Sequence, residues 1–205
     1  MNMGSSMNMQ DLIRVNRLWA GIYPFLADQI LDHYLKQDGE VLEWGPFSGG
    51  ISFSLLDRQP GMRITIAVED GDVFSVMENE LAERELTGEI RLMKSALVPL
   101  VYDENSFDLV VIRGGYFFLD PDGESLREIF RVLKKDGIAF VGGGYGKKTP
   151  QAAIDEIAEE SRILNDRLGR VRVSVADLNR MIDSSGLKPH IRIVEEGGLW
   201  LLFDK

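Results

Sequence analysis

The apolar residues of this chain follow two spacings in turn, and the alternation predicts a strand–helix–strand order through most of its length. A short apolar strand at Val41-Leu42 runs into a bend at residues 45–49, and the segment 50–57 behind the bend has helical spacing. A β-branched run follows at 63–68, then a helix over 72–86 with Gly88 as its stop, then a strand over 89–93. Right-handed crossovers set such strands side by side with their carboxyl ends along one edge, where open α/β sheets bind ligands.

The second half continues the scheme and then changes it. An apolar strand at 109–112 leads to an amphipathic helix over 126–136, with cations in its last turn and Gly137 as its stop, and to a strand over 138–141. Gly142-Gly143-Gly144-Tyr145-Gly146 reads as a flexible connection, either a hinged lid or a loose loop. Thr149-Pro150 opens a long helix reaching about residue 168, and Ser174 caps another that ends near Gly186. Apolar runs at 190–194 and 199–203 flank Glu195-Glu196-Gly197-Gly198, a hairpin turn. Two helices, over 11–19 and 24–36, precede all of this. Residues 1–38 therefore read as an N-terminal helical cap and 39–205 as the body of one compact domain.

Composition narrows the chemistry. The chain has 205 residues, 44% of them apolar, which suits a single globular domain with a sizeable core. No apolar run reaches the roughly 18 to 20 residues of a membrane span, and the polar stretch 1–10 lacks a signal-peptide apolar region; it reads as a frayed end or a cloning remnant. The absence of cysteine excludes disulfides, zinc–thiolate sites and a cysteine nucleophile, and the cytoplasm is the expected location. A net charge of −10 speaks against nucleic acid as a partner and for a small-molecule substrate. The two histidines, His33 in a surface helix and His190 at the start of a late strand, are poorly placed for general base work. The Arg113-Gly114-Gly115 segment offers no metal ligands, so no metal is expected.

The bend itself reads Glu43-Trp44-Gly45-Pro46-Phe47-Ser48-Gly49. Gly45 and Gly49 remove side chains where a ligand must approach backbone, and the helix behind them points unpaired N–H groups into the same space. This spacing resembles motif I of the class I S-adenosylmethionine-dependent methyltransferases, written E/D-x-G-x-G-x-G, with Phe47 in place of the middle glycine. Asp103-Glu104-Asn105-Ser106-Phe107-Asp108 is similar to the approach to strand four in the small-molecule members of that family. Leu126-Arg127-Glu128-Ile129-Phe130-Arg131-Val132-Leu133-Lys134 is similar to its helix before strand five, so the resemblance covers most of residues 40–141.

The resemblance implies a Rossmann-like α/β fold: a seven-stranded sheet of order 3-2-1-4-5-7-6, strand seven antiparallel, with helices on both faces. It implies S-adenosylmethionine as cofactor and methyl transfer to a small molecule by alignment and in-line displacement, for which no catalytic residue need be assigned. Glu43, Gly45, Phe47 and Gly49 then line the cofactor bend. Glu69, twenty-six residues beyond Glu43, takes the ribose hydroxyls, with Asp70 beside it. Ser95 stands where the family often has an acid for the adenine, flanked by Ala96 and Leu97. Arg113, at the end of strand four, either clamps a carboxylate or phosphate or pairs with Glu43 or Glu69. Trp19, Tyr23, Tyr116, Phe117 and Tyr145 wall a substrate site or pack the core.

Two other readings stand beside this one. Phe47, forced to positive φ at a cost of about 1 to 2 kcal/mol or filling ligand space, would suit a protein that binds S-adenosylmethionine or a nucleoside without transferring a methyl group. A ring plugging the rim, or Glu69 turned away from it, would leave the architecture without the enzyme. A nicotinamide-dependent dehydrogenase is the third reading, disfavoured by the phrases around strands four and five. The acceptor and the oligomeric state stay open.

Overall fold

The structure is a computed structural model that describes residues 8–205, so the stretch 1–7 of the polar leader lies outside the described residues. Two helices, α1 (Met9–Leu18) and α2 (Tyr23–Leu31), come first. There follow β1 (Asp38–Trp44), α3 (Gly50–Arg58), β2 (Gly61–Val68), α4 (Gly71–Glu83), β3 (Ile90–Lys94) and β4 (Phe107–Arg113). The chain finishes with α5 (Glu124–Val132), β5 (Leu133–Gly143), α6 (Gln151–Arg167), α7 (Val175–Ser185), β6 (Ile191–Val194) and β7 (Leu199–Asp204).

The seven strands form one sheet of order β3-β2-β1-β4-β5-β7-β6. β7 runs antiparallel to both its neighbours, and the pairs among β1 to β5 are parallel. The fold class is the one the resemblance implies. The sheet's alternation divides the core in two. Val41, Ile66, Val111 and Phe140 face a layer that includes α1, α2, α3, α4 and α6. Leu42, Ala67, Val110 and Val141 face α5, α7 and the segment after β3. Each large apolar side chain buried this way contributes about 1.5 to 3 kcal/mol relative to leaving it in water.

Local chemistry sets most of the helix starts. Asp70 accepts from the amides of Asp72 and Val73 to cap α4, and Ser174 with Asp177 makes a reciprocal capping box on α7. Three expectations fail at the other ends. Helix α2 stops at Leu31, short of residue 36, because the Tyr34 hydroxyl donates to the Asp38 carbonyl and Lys36 reaches Asp108, which draws the chain off the helix axis toward β1. Helix α5 stops at Val132, because Leu133 already pairs with Phe107 and Lys134 bonds Asp108.

The third concerns the glycine run, which is no hinged or loose loop. Gly142 and Gly143 are the last residues of β5 and pair with Trp200 and Leu199. Gly144 packs backbone to backbone on Gly197 and Gly198, where a Cβ would collide with the Gly197 carbonyl. The buried Gln29 locks the arrangement, accepting from the Lys147 amide and donating to the Glu196 carbonyl.

Candidate active site

Strand register brings the sequence-selected residues to one rim. Trp44 is level with Ala67, Val68 with Lys94, and Arg113 with Gly142, so Gly45, Glu69, Ser95 and Arg113 all leave the sheet at its carboxyl edge. Gly45 begins the bend at φ 112°, a conformation that favours glycine, and its amide donates to the Ala67 carbonyl at 2.9 Å. Under the bend lies Glu43, 1% exposed. Its Oε2 accepts from the amides of Gly49 at 2.9 Å and Ser52 at 3.0 Å, holding the first turn of α3. Its Oε1 is buried and has no partner. Burial pushes the Glu43 carboxyl above its ordinary range, against the nearby Ser52 hydroxyl, those two amides and the charge of Arg113, which pull it down.

Arg113 is 5% exposed and joins the rim to the N-terminal helices. Its Nη2 donates to Asn16 Oδ1 and to the Tyr23 hydroxyl, each at 3.0 Å. Its guanidinium carbon lies 4.6 Å from the ring centre of Trp19, 5.2 Å from Tyr23 and 5.1 Å from Phe47. It makes no ion pair with Glu43 or Glu69, and its Nε is buried without a partner. Tyr23 packs its ring on Gly50, and burial drives its hydroxyl up to about 12, although Arg113 pulls the other way.

Phe47, standing where motif I has its middle glycine, is 1% exposed. Its ring turns toward the loop after β4, 5.1 Å from the ring of Phe117 and close against Gly114. The space beside the bend is therefore filled by a side chain. The expected backbone strain is absent, because among the described residues the positive-φ residues other than glycine are Glu85, Asn105 and Asp136.

The remaining rim residues divide by what they already do. Ser95 is buried; its hydroxyl donates to the Ala96 carbonyl and accepts from the Val101 amide, so it organises its own loop, while Trp44 donates to the Ser95 carbonyl. Leu97 is buried and Ala96 partly so. Asp70 is exposed and its carboxylate caps α4. Glu69 is exposed and makes no hydrogen bond or ion pair among the described residues.

Beside the bend a cleft of about 270 Å³ opens at the ends of β4 and β5. It gathers Trp19, Arg113, Tyr116, Phe117 and Tyr145, four of the expected substrate residues and the rim arginine; Tyr23 lies behind Arg113 and does not line it. Trp19 stacks on Tyr145, ring centres 4.9 Å apart, and its indole N–H donates to Ser161 Oγ at 2.8 Å. Tyr116 donates to the Leu199 carbonyl. Sequence reasoning missed Ser161, Arg162, Asn165, Arg170 and Val171, the far wall of this cleft. Nothing in the amphipathic pattern of α6 separates residues that turn toward the cleft from an ordinary solvated face. A larger hollow of about 460 Å³ lies at the opposite edge of the sheet, between the starts of β2 and β3, away from the strand ends where this fold binds ligands. His33 packs near Phe140 and His190 bonds the Asp204 carbonyl; neither lines the cleft.

A family profile described as a methyltransferase domain matches residues 42–141, the stretch that carries Glu43, the bend, Glu69, Ser95 and Arg113. Residues 42–141 therefore match a methyltransferase domain, on the Rossmann-like fold of the class I S-adenosylmethionine-dependent methyltransferases. The family's cofactor is S-adenosylmethionine. Among curated proteins, the ubiquinone/menaquinone biosynthesis C-methyltransferase UbiE of Stenotrophomonas maltophilia is 30% identical over 137 residues. That alignment covers 65% of this chain and 51% of that protein, so this chain spans about half the length of the curated relative it matches. Among solved structures, a candidate S-adenosyl-L-methionine-dependent methyltransferase from Methanococcus maripaludis superposes with a TM-score of 0.81 at 22% identity, covering 100% of this chain and 96% of that one. A SAM-dependent methyltransferase from Aquifex aeolicus gives a TM-score of 0.63 at 15% identity over 94% of this chain and 96% of its own. Among the described residues no helix is long and apolar enough to cross a membrane.

Proposed function

We propose that this chain binds S-adenosylmethionine across the rim and transfers its methyl group to a small molecule held in the adjoining aromatic cleft. The observation that carries this reading is Glu43 Oε1, a buried carboxylate oxygen under the bend that has no hydrogen-bond donor. An unpartnered buried acceptor costs about 1 to 3 kcal/mol, and an ammonium group such as the one on the cofactor's methionine end would supply the missing donor. The bare backbone at Gly45 and Gly49 lets that end approach, Glu69 is free to take the ribose hydroxyls, and Ala96 and Leu97 flank the adenine. The described part of the N-terminal segment, residues 8–38, serves as a cap, through the Asn16 Nδ2 bond to the Pro46 carbonyl and the Tyr23 ring over Gly50.

The cofactor supplies a methyl group on a sulfonium: its C–S bond breaks as the acceptor's bond to carbon forms, leaving the neutral thioether S-adenosylhomocysteine. The chain's own residues hold the acceptor and exclude water, with Trp19, Tyr116, Phe117 and Tyr145 as the walls. No Asp, Glu or His lines the cleft. An acceptor that is already nucleophilic at neutral pH therefore suits it better than one that must surrender a proton to a base.

Phe47 favours a second reading. With its ring held against Gly114, the rim receives only the nucleoside end of a ligand and no transfer follows. Transfer requires the buried Phe47 ring to leave its place against Gly114 and Phe117. Incubation with S-adenosylmethionine and a panel of small metabolites separates the two: acceptor-dependent S-adenosylhomocysteine supports transfer, and S-adenosylmethionine binding without turnover across the panel supports the second.

A further inference from the structure

The aromatic cleft is where local charge runs against the rest of the molecule. The chain holds 33 acidic against 23 basic residues, yet no acid lines the cleft and three arginines do: Arg113, Arg162 and Arg170. Arg162 is occupied outward by Glu159 and Asp166. The other two are not fully used. Arg113 has no carboxylate within ion-pairing distance among the described residues; its Nη2 serves Asn16 and Tyr23, and its buried Nε–H serves nothing. Arg170 gives Nη2 to Asp166 Oδ1 at 2.8 Å, and its Nε–H is also buried without an acceptor. Buried N–H groups of cations are rarely left unpaired in folded proteins, so two arginines that line one cleft and each keep such a group point to an anion.

The rest of the cleft limits what carries that anion. Trp19 is held by Ser161, which is itself bonded by Asn165 one turn further along α6, and Tyr145 stacks on Trp19 at an interplanar angle of 11°. Phe117 and Tyr116 supply further ring surface. At about 270 Å³ the space falls just below the roughly 300 to 1,000 Å³ of drug-sized ligand pockets, which leaves room for one ring and a small head group.

We infer that the cleft binds a small aromatic carboxylate of about the size of benzoate, its anionic group meeting the unpartnered N–H of Arg113 with Arg170 as the second cation. The inference rests on the methyl-transfer reading for the ligand's role as acceptor, and on the cleft alone for its charge and shape.

The test compares benzoate, benzyl alcohol and benzylamine, three ligands with the same ring and a negative, neutral or positive head. Each is titrated into the intact protein while the indole N–H resonance of Trp19, assigned with Trp19→Phe, is followed by NMR. Benzoate is expected to bind at least about tenfold more tightly than benzyl alcohol, the minimum for one charge-assisted hydrogen bond, and benzylamine to give no saturable shift. Arg113→Met and Arg170→Met should each weaken benzoate by about tenfold and leave benzyl alcohol unchanged. Should Arg113→Met fail to fold, the exposed end of Arg170 makes Arg170→Met the deciding variant. Equal binding of benzoate and benzyl alcohol, preference for benzylamine, no saturable binding of any of the three, or benzoate affinity indifferent to Arg170→Met overturns the inference. A separate S-adenosylmethionine titration keeps the two readings apart: cofactor binding without benzoate binding removes this inference alone, and benzoate binding without cofactor binding removes the methyl-transfer reading and leaves an anion site.

Discussion

The ring of Phe47 lies so close to Gly114 that a Cβ added there would stand 2.6 Å from Phe47 Cδ2. One aromatic side chain thus joins the bend after β1 to the loop after β4 and fills the space between them. Phe47→Ala is expected to cost about 3 to 5 kcal/mol of stability, the usual range for deleting a buried ring. The same change should tighten S-adenosylmethionine binding by about tenfold or more, because the ring no longer has to be displaced. Urea unfolding and calorimetry check the two parts. A loss of stability with unchanged or weaker cofactor binding would show that the ring does not compete with the ligand.

Tyr23 gives the fold an alkaline limit. Burial raises its hydroxyl from 10.0 to about 12, with Glu43 adding to the rise and Arg113 opposing it. A folded-state value above the unfolded one means the contribution is complete below about pH 10 and is lost as pH rises toward 12. It amounts to roughly 2 to 3 kcal/mol. Tyr23→Phe should flatten this part of the stability profile, measured as urea midpoints between about pH 9 and pH 11.5; a wild-type slope kept intact in the variant would assign the limit to other groups.

Asp108 sets an acid limit by the opposite sign. Burial pushes its carboxyl up, but bonds from Lys134 at 2.7 Å, Lys36 at 2.8 Å and the Glu40 amide at 2.9 Å outweigh this and hold it at about 2. A depressed carboxylate stabilises above its unfolded value of 3.8, and the contribution disappears as pH falls toward 2. The loss is about 2 kcal/mol. In Asp108→Asn, denaturation followed by circular dichroism should change less between pH 4 and pH 2 than in wild type, from a lower starting stability.

The glycine run offers a paired comparison. A Cβ on Gly143 meets nothing within 4 Å, whereas on Gly144 it collides with the Gly197 carbonyl. Gly143→Ala should therefore stay within about 0.5 kcal/mol of wild type, while Gly144→Ala should lose more than about 1 kcal/mol. Equal tolerance at both positions, by thermal denaturation, would mean that this segment is the loose lid its composition suggests.

The parallel core was legible because each apolar run has one period and each glycine or proline ends it: Gly88 stops the segment after α4, Pro150 starts α6, and Ser174 starts α7 with a cap visible in the sequence. The position of the bend and of Glu69 at the rim was legible through spacing, since parallel strands must end at one edge. What stayed hidden depends on directions that spacing does not carry. The turn of Phe47 toward Gly114, the Ser95 hydroxyl's bonds within its own loop, and the packing of Gly144 on Gly197 each need two segments far apart in sequence to meet. The same is true of Ser161 and Asn165 on α6 and of Arg170 just beyond it, whose polar side chains look like solvated surface until that segment is laid against the cleft.

Calorimetric titration of S-adenosylmethionine into the intact protein and into Glu69→Ala tests the account most directly. The account predicts saturable binding near the micromolar range in wild type and a loss of about a hundredfold or more in Glu69→Ala, from two charge-assisted bonds to the ribose. No heat of binding in wild type, or equal affinity in the variant, would contradict it.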